Sequence, residues 1–174
     1  MSIQALKAVL RERSGMWNSH WHGISHWNNV WANGREIGWA VDADLEVVEY
    51  FAFLHDSQRI DEGADWLHGP RAVKFAYEHR DLFDLSHSQF KELMSAVAGH
   101  TKLMPGCKAG QNPTIATCWD ADRLDIWRVG YQVDPLYLFT DRARDLADLM
   151  PNGETMTADE IFELRGLLTD PLNG

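Results

Sequence analysis

Apolar residues recur every three or four positions along most of this chain, and this period limits the fold more than any other feature. Ile3, Leu6 and Leu10 illustrate it, because residues at that spacing lie on one face of a helix. The motif Ser86-x-x-Gln89 is a capping box, which is typical of a helix start. Neither an alternating run typical of a strand nor an internal repeat is present. The sequence therefore predicts an all-α fold, a single-domain helical bundle.

The same period, together with residues that begin and end helices, predicts where the helices lie. Their ranges are 2–13, about 17–32, 42–55, a fourth helix that begins near Pro70, Ser86 to about His100, Thr114 to about Val129, about 140–149, and Thr157 to Leu168. Asn33-Gly34 is expected to end the second helix, and Asp42 is expected to cap the third. A length of 174 residues suits one domain over 1–174, with a core of about 17–130 onto which C-terminal helices in 135–170 pack.

The charge balance and the cysteines narrow the partners that we expect. The chain has 16 Lys and Arg against 26 Asp and Glu, a formal net charge of −10. This charge disfavours a nucleic-acid polymer or an anionic membrane as partner, and a small anionic substrate would need local positive charge. Two cysteines outside any CxxC motif and the lack of an apolar stretch of about 18 residues favour a cytoplasmic protein. The oligomeric state stays open.

Histidine and aspartate occur together near the ends or inner faces of several predicted helices. The positions are His26, the doublet His55-Asp56, His68, His100 and Asp122. Imidazole and carboxylate side chains together bind Mn, Fe, Ni, Zn or Mg, depending on the geometry. A helical bundle can direct such side chains from facing helices into one cavity. The pattern is therefore typical of a metal site.

Three short motifs follow one another between residues 17 and 130. They are His26-x-x-x-Val30, His55-Asp56 and Ala121-Asp122-Arg123-Leu124. Together they resemble the H…HD…D signature of the HD-domain metal-dependent phosphohydrolase superfamily. The resemblance implies an all-helical fold in which one divalent metal ion is bound by His26, His55, Asp56 and Asp122.

Two further histidines look like the extra positions of HD-domain members that hold a second metal ion. They are His68 in Leu67-His68-Gly69-Pro70-Arg71-Ala72 and His100 in Val97-Ala98-Gly99-His100. A catalytic role, a substrate contact or a hydrogen bond to a ligand is the alternative for each of them.

Other residues near the motifs are expected to support the ligands or to bind substrate. Asp125 follows Asp122 by one helical turn, shares its helix face and is expected to orient a ligand or a water. Asp120 is expected to point away from that face. His22 precedes His26 by one turn and is expected to pack behind it. Guanidinium and ammonium groups suit phosphate oxygens. The basic candidates in or next to the ligand-bearing loops are Arg59, Arg71, Lys102, Lys108 and Arg123.

The resemblance implies hydrolysis of a phosphate ester or anhydride by a metal-activated water. A nucleotide or a small phosphorylated metabolite is the expected substrate class. Two alternatives remain: a mixed-valent di-iron oxygenase resembling the myo-inositol oxygenase type, which uses a similar scaffold and six-ligand pattern, and a non-catalytic metal-containing binding module. The chain has no HHExxDGxGYP-like string, which argues against a cyclic dinucleotide phosphodiesterase.

Overall fold

The computed structural model describes residues 3–101 and 107–149 of the chain, and these ranges form an all-α bundle without a strand. The helices are α1 (Ile3–Arg13), α2 (Ile24–Val41), α3 (Leu45–Leu54), α4 (His68–Glu78), α5 (His87–Gly99), α6 (Pro113–Arg123) and α7 (Asp141–Leu149). Short 3-10 turns cover Arg80–Leu82, Lys108–Gln111, Ile126–Val129 and Pro135–Tyr137. The all-α prediction is confirmed. The predicted helix from Thr157 to Leu168 lies outside the described residues.

The core forms around α2, which packs against α3 and α6, while α5 packs against α3, α4 and α6. Trp27, Val30 and Ile37 of α2 are completely buried. Burying one such large apolar side chain contributes about 1.5–3 kcal/mol. Trp119 of α6 crosses to α5, where its Nε1 donates a hydrogen bond to the carbonyl oxygen of Ala96 at 2.9 Å. No helix in the described part of the chain is long and apolar enough to cross a bilayer.

The second helix begins later and ends later than the predicted range of about 17–32. It runs from Ile24 to Val41, while residues 14–23 form turns. Asn33-Gly34 does not end it, because Gly34 lies inside the helix where α2 approaches α3. A Cβ atom at Gly34 would lie only 2.5 Å from Cγ1 of Val48, so the glycine permits this close contact.

The boundary between α2 and α3 also differs from the prediction. Asp42 does not cap α3; it ends α2 in the left-handed region, with φ of 56°. Asp44 caps α3, because its side chain accepts hydrogen bonds from the backbone N–H groups of Glu46 and Val47.

The helix predicted over 114–129 ends at Arg123. A 3-10 turn, Ile126–Val129, follows it and ends at Gly130, whose φ of 85° favours glycine. Asp120, expected to point away, is buried and accepts three hydrogen bonds, from the backbone N–H groups of Phe139 and Thr140, both at 2.8 Å, and from Oγ1 of Thr140 at 2.7 Å. Asp120 therefore ties α6 to the segment that begins α7.

Candidate metal centre

The ends of five helices bring six imidazole and carboxylate side chains together. His26 lies in the first turn of α2, His55 and Asp56 follow α3, His68 begins α4, His100 follows α5, and Asp122 lies in the last turn of α6. All of them except Asp122 are buried. The structure thus places all six predicted metal-binding residues in one region.

The first group of ligand atoms, called site A, consists of Nε2 of His26, Nε2 of His55, Oδ1 of Asp122 and Oδ2 of Asp56. The two Nε2 atoms are 3.1 Å apart. Asp122 Oδ1 lies 3.3 Å from His26 Nε2 and 3.6 Å from that of His55, and Asp56 Oδ2 lies 3.7 Å from both. Ligand atoms about 2.1 Å from one cation lie roughly 3.0–3.4 Å apart at right or tetrahedral angles. The spacing in site A is close to that range.

The second group, called site B, uses the other oxygen of the same carboxylate. Nε2 of His68 lies 2.7 Å from Nε2 of His100 and 3.0 Å from Oδ1 of Asp56. Nε2 of His100 lies 3.8 Å from that oxygen. Asp56 therefore faces site A with Oδ2 and site B with Oδ1. Its spacing to His26 and His55, and to His68 and His100, could hold a metal ion in each group.

Hydrogen bonds at the opposite ring nitrogen orient all four histidines. His26 Nδ1 lies 2.8 Å from Oδ2 of Asp125, and His55 Nδ1 lies 3.1 Å from the carbonyl oxygen of Ala52. Nδ1 of His68 lies 2.5 Å from the carbonyl oxygen of Asp65, and Nδ1 of His100 lies 2.7 Å from that of Val97. In His26, His55 and His100 the oxygen partner requires Nδ1 to be the donor, which leaves the lone pair on Nε2. Nδ1 of His68 also lies 3.2 Å from Nη1 of Arg59, a group that can only donate.

This tautomer makes the paired Nε2 atoms an unfavourable arrangement without a cation. In site A both Nε2 atoms are then acceptors, and two acceptor atoms 3.1 Å apart repel each other. A positive ion among them would remove that repulsion. The residues present therefore fit a bound metal ion.

The electrostatics of the buried groups also suit a metal ion. Burial lowers the pKa of His26, which keeps the imidazole neutral at pH 7. Burial by itself raises the pKa of Asp56 and of Asp122, but His55 and the other neighbouring imidazoles hold both pKa values well below the usual range. Two ionised carboxylates and neutral imidazole are the ligands that divalent transition metals prefer.

A cleft of about 260 Å³ opens onto both sites. Its wall consists of His22, Asp56, Arg59, Gly63, Ala64, Asp65, Trp66, His68, His100, Thr101, Asp122, Arg123 and Arg128. Arg59 Nη1 lies 3.6 Å from Oδ1 of Asp56, and its Nη2 donates to the carbonyl oxygen of Gly63 at 2.5 Å. The guanidinium is thus fixed beside site B.

Two of the predicted basic residues, Arg71 and Lys108, do not line the cleft. Arg71 donates from Nε to the Gln58 carbonyl oxygen at 2.9 Å and forms an ion pair with Asp65, and it is not part of the cleft wall. Lys108 is exposed in a 3-10 turn and does not line the cleft either. Lys102 lies outside the described residues.

His22 and Asp125 each contact a ligand of site A. His22 is not on α2, as its predicted place one helical turn before His26 required, but lies in the turns that precede the helix. From there its Nδ1 lies 3.0 Å from Oδ2 of Asp56. Asp125 lies beyond the end of α6, completely buried against His26. The two residues reach the ligands from irregular segments rather than from helix faces.

Arg128 is a cleft residue that the sequence did not single out. Its Nη2 lies 3.9 Å from Oδ2 of Asp56, while Nε donates to the Trp21 carbonyl oxygen at 2.6 Å and Nη1 donates to that of Asp125 at 3.0 Å. On a continuous helix a residue six positions after Asp122 would face another direction. The 3-10 turn brings it back to the cleft, and the basic residue just before Gly130 was the available signal.

No protein-family model, curated protein or solved structure matches this chain. The geometry of the centre therefore carries the functional argument. That geometry offers two groups of His and Asp side chains that could each hold a metal ion, one carboxylate that belongs to both groups, and a cleft lined by Arg59, Arg123 and Arg128.

Proposed function

We propose that this protein is a metal-dependent phosphohydrolase that acts on a phosphate ester or anhydride. The proposal rests on two pairs of buried histidines whose Nε2 atoms face each other, with one pair beside each oxygen of Asp56. A cleft lined by three arginines lies next to them. The order of the ligands along the chain supports it, because it resembles the HD-domain signature. The metal ion of the proposal is Mn, Fe, Ni, Zn or Mg, held at site A and also at site B.

The charges of the cleft favour an anionic substrate. Arg59, Arg123 and Arg128 balance the three carboxylates nearest to site A, those of Asp56, Asp122 and Asp125. Divalent ions in the two sites would therefore leave an excess of positive charge. In a protein with a net charge of −10, this local field would attract a phosphate group to the cleft.

The residues of the cleft have separable tasks in this proposal. A bound divalent ion supplies a water with a lowered pKa and neutralises charge on phosphoryl oxygens. His22 lies within hydrogen-bonding distance of Asp56, where it holds the bridging carboxylate in place. Arg59 Nη1 and Arg128 Nη2 lie beside the two oxygens of Asp56, and from there each would donate a hydrogen bond to a phosphoryl oxygen.

The reaction forms a bond between the water oxygen and phosphorus and breaks the bond from phosphorus to the leaving oxygen. The leaving oxygen takes up a proton from the water, so a phosphate monoester gives inorganic phosphate and an alcohol, and a phosphoric anhydride gives two products that each carry a phosphate group. Pre-oriented guanidinium groups stabilise the charge that develops on the phosphoryl oxygens.

The substrate in this proposal is a nucleotide or another small phosphorylated metabolite. A cleft of about 260 Å³ holds a small molecule rather than a polymer, and the net charge opposes nucleic acid. A cytoplasmic location belongs to the proposal, because Cys107 and Cys118 are free thiols.

Elemental analysis of anaerobically purified protein, combined with phosphate release from a panel of small phosphate esters and anhydrides, tests the function. We expect two divalent ions per chain and release of phosphate. Arg128→Gln should raise KM and leave the metal content unchanged, whereas Arg35→Gln, an exposed arginine of α2, should change neither. Iron with oxygen uptake and no phosphate release would support the oxygenase instead, and full metal occupancy without turnover would support a binding module.

A further inference from the structure

A second pocket lies beside the metal cleft, and Arg123 forms part of both walls. Its volume is about 210 Å³. The residues that line it are Arg123, Ile126, Tyr131, Gln132, Asp134 and Tyr137. Arg123 directly follows Asp122, a ligand of site A, so the pocket begins one residue from the metal centre.

The wall of this pocket suits a flat apolar group. Tyr131 and Tyr137 are 68% and 38% exposed, respectively, and Ile126 adds an aliphatic surface. The guanidinium of Arg123 lies 5.3 Å from the centre of the Tyr137 ring. Aromatic rings and a guanidinium plane both stack favourably on another planar ring. Gln132 offers an amide to polar atoms at the edge of such a ring.

One short turn supplies residues to both cavities. Ile126 at the start of the Ile126–Val129 turn lines the pocket, and Arg128 of the same turn lines the cleft. Arg123 and this turn therefore form a wall that the cleft and the pocket share, which would place a phosphate held by Arg128 next to a ring beside Ile126.

We propose that the second pocket is a subsite for a planar aromatic ring carried by the leaving group of the substrate. The inference rests on the proposed phosphohydrolase function, since the phosphate must occupy the metal cleft. Hydrolysis would then break the bond between phosphorus and the oxygen of the ring-bearing group, which leaves as a phenol or an alcohol with a proton from the water.

Phosphonates test the subsite without turnover, because their phosphorus–carbon bond resists hydrolysis. The full chain loaded with Mn²⁺ is titrated calorimetrically with phenylphosphonate and with methylphosphonate. We expect the phenyl compound to bind about tenfold more tightly, the size of one favourable ring contact. Tyr131→Ala and Tyr137→Leu should each reduce this preference to about twofold. Tyr77→Ala is the matched control, since Tyr77 is 61% exposed on α4, lines neither cavity, and should keep the full preference.

The outcomes separate the subsite from the function on which it rests. Equal affinity of the two phosphonates for the unaltered protein overturns the subsite and leaves the phosphohydrolase intact. An equal loss of preference in Tyr77→Ala also overturns it. Failure of both phosphonates to bind to the loaded protein overturns the anion-binding cleft, and with it the subsite.

Discussion

Sites A and B use the same kind of histidine pair but are supported differently. Site A has two imidazoles and two carboxylates, and Asp125, a third carboxylate, accepts the hydrogen bond of His26. Site B has two imidazoles and one carboxylate oxygen, Oδ1 of Asp56. A backbone carbonyl oxygen three residues earlier in the chain orients each of its histidines. Since anionic ligands increase the affinity for a divalent cation, site A should bind its ion more tightly.

The two sites also differ in how far apart in the sequence the contacting residues lie. Site A needs residues separated by 29 and 99 positions to meet, so it exists only when α2, α3 and the segment after α6 are packed together. Site B also needs a tertiary contact, since His68 and His100 are 32 positions apart, and local backbone carbonyl oxygens orient both of its histidines, as one orients His55 in site A. Site A differs in the support of His26, whose Nδ1 partner Asp125 lies 99 positions away.

The largest effect should come from Asp56→Asn, because it alters the one side chain that the two sites share. We expect both ions to be lost, with the affinity of each site reduced more than about 100-fold. Metal analysis after dialysis against a defined free metal concentration measures this. Asp61→Asn, which alters an exposed aspartate of the following loop, should retain both ions. Loss of one ion only from Asp56→Asn would show that the carboxylate does not bridge.

The next largest effect should be a loss of one ion, and it should differ between the two sites. His68→Gln should leave one ion, held in site A with nearly unchanged affinity. His26→Gln should remove the tighter ion and leave at most the weaker one. Calorimetric titration of both variants with Mn²⁺ ranks the sites. If His68→Gln abolished the tighter binding event, the order of the two sites would be the reverse of our inference.

Much of the fold could be predicted from the sequence, because its signals are local. The apolar period and the capping box at Ser86 place helices without knowledge of packing, and the structure confirms that box. The end of α2 could not be predicted in this way, since Asn33-Gly34 has the composition of a helix stop. The helix continues where it packs against neighbouring helices, with Gly34 close to Val48 and Ile37 completely buried, and those contacts are tertiary.

The metal-binding residues could be proposed because their order along the chain resembles a known signature, and they do lie together. The support around them could not be derived from helical spacing. His22 and Asp125 reach their partners from turns, and Arg128 enters the cleft because α6 ends at Arg123. Arg71 has the right charge and the right place in the sequence, but its guanidinium is used by Asp65. Side-chain partners of this kind are decided by packing.

Asp125→Asn should sharpen the comparison, because no carboxylate of the described residues is hydrogen-bonded to Nδ1 in site B. Nδ1 of His68 and of His100 each faces a backbone carbonyl oxygen, and that of His68 also lies 3.2 Å from Nη1 of Arg59. The amide can still accept the hydrogen bond from His26 Nδ1, but it lacks the negative charge that makes the imidazole a stronger ligand. We expect the affinity of site A to fall about 10- to 100-fold, with site B unchanged. Competition with a metal-binding dye measures both affinities. An equal loss at both sites would indicate a general disturbance of the cleft rather than support of one histidine.

The smallest effect should appear in the stability of the metal-free protein as the pH falls. Burial lowers the pKa of His26 in the folded chain below its usual value of about 6.5, so the unfolded chain binds this proton at a higher pH. The free energy of unfolding should therefore decrease from about pH 6.5 down to the folded pKa, by about 1.4 kcal/mol for each unit of difference. The lowered pKa values of Asp56 and Asp122 act in a separate window, since their contribution is present above about pH 4 and is lost as the pH falls further through the folded values.

Urea unfolding in a chelator at several pH values between 7.5 and 5 measures this dependence, with His26→Gln as the matched variant. Glutamine cannot take up the proton, so the variant should lose less stability than the unaltered protein between pH 6.5 and 5. Replacement of His68 by Gln should leave the contribution of His26 in place, because His26 and its partner Asp125 belong to site A. Parallel curves for the unaltered protein and His26→Gln would contradict the assignment, since they would show that His26 titrates alike in the folded and unfolded chains.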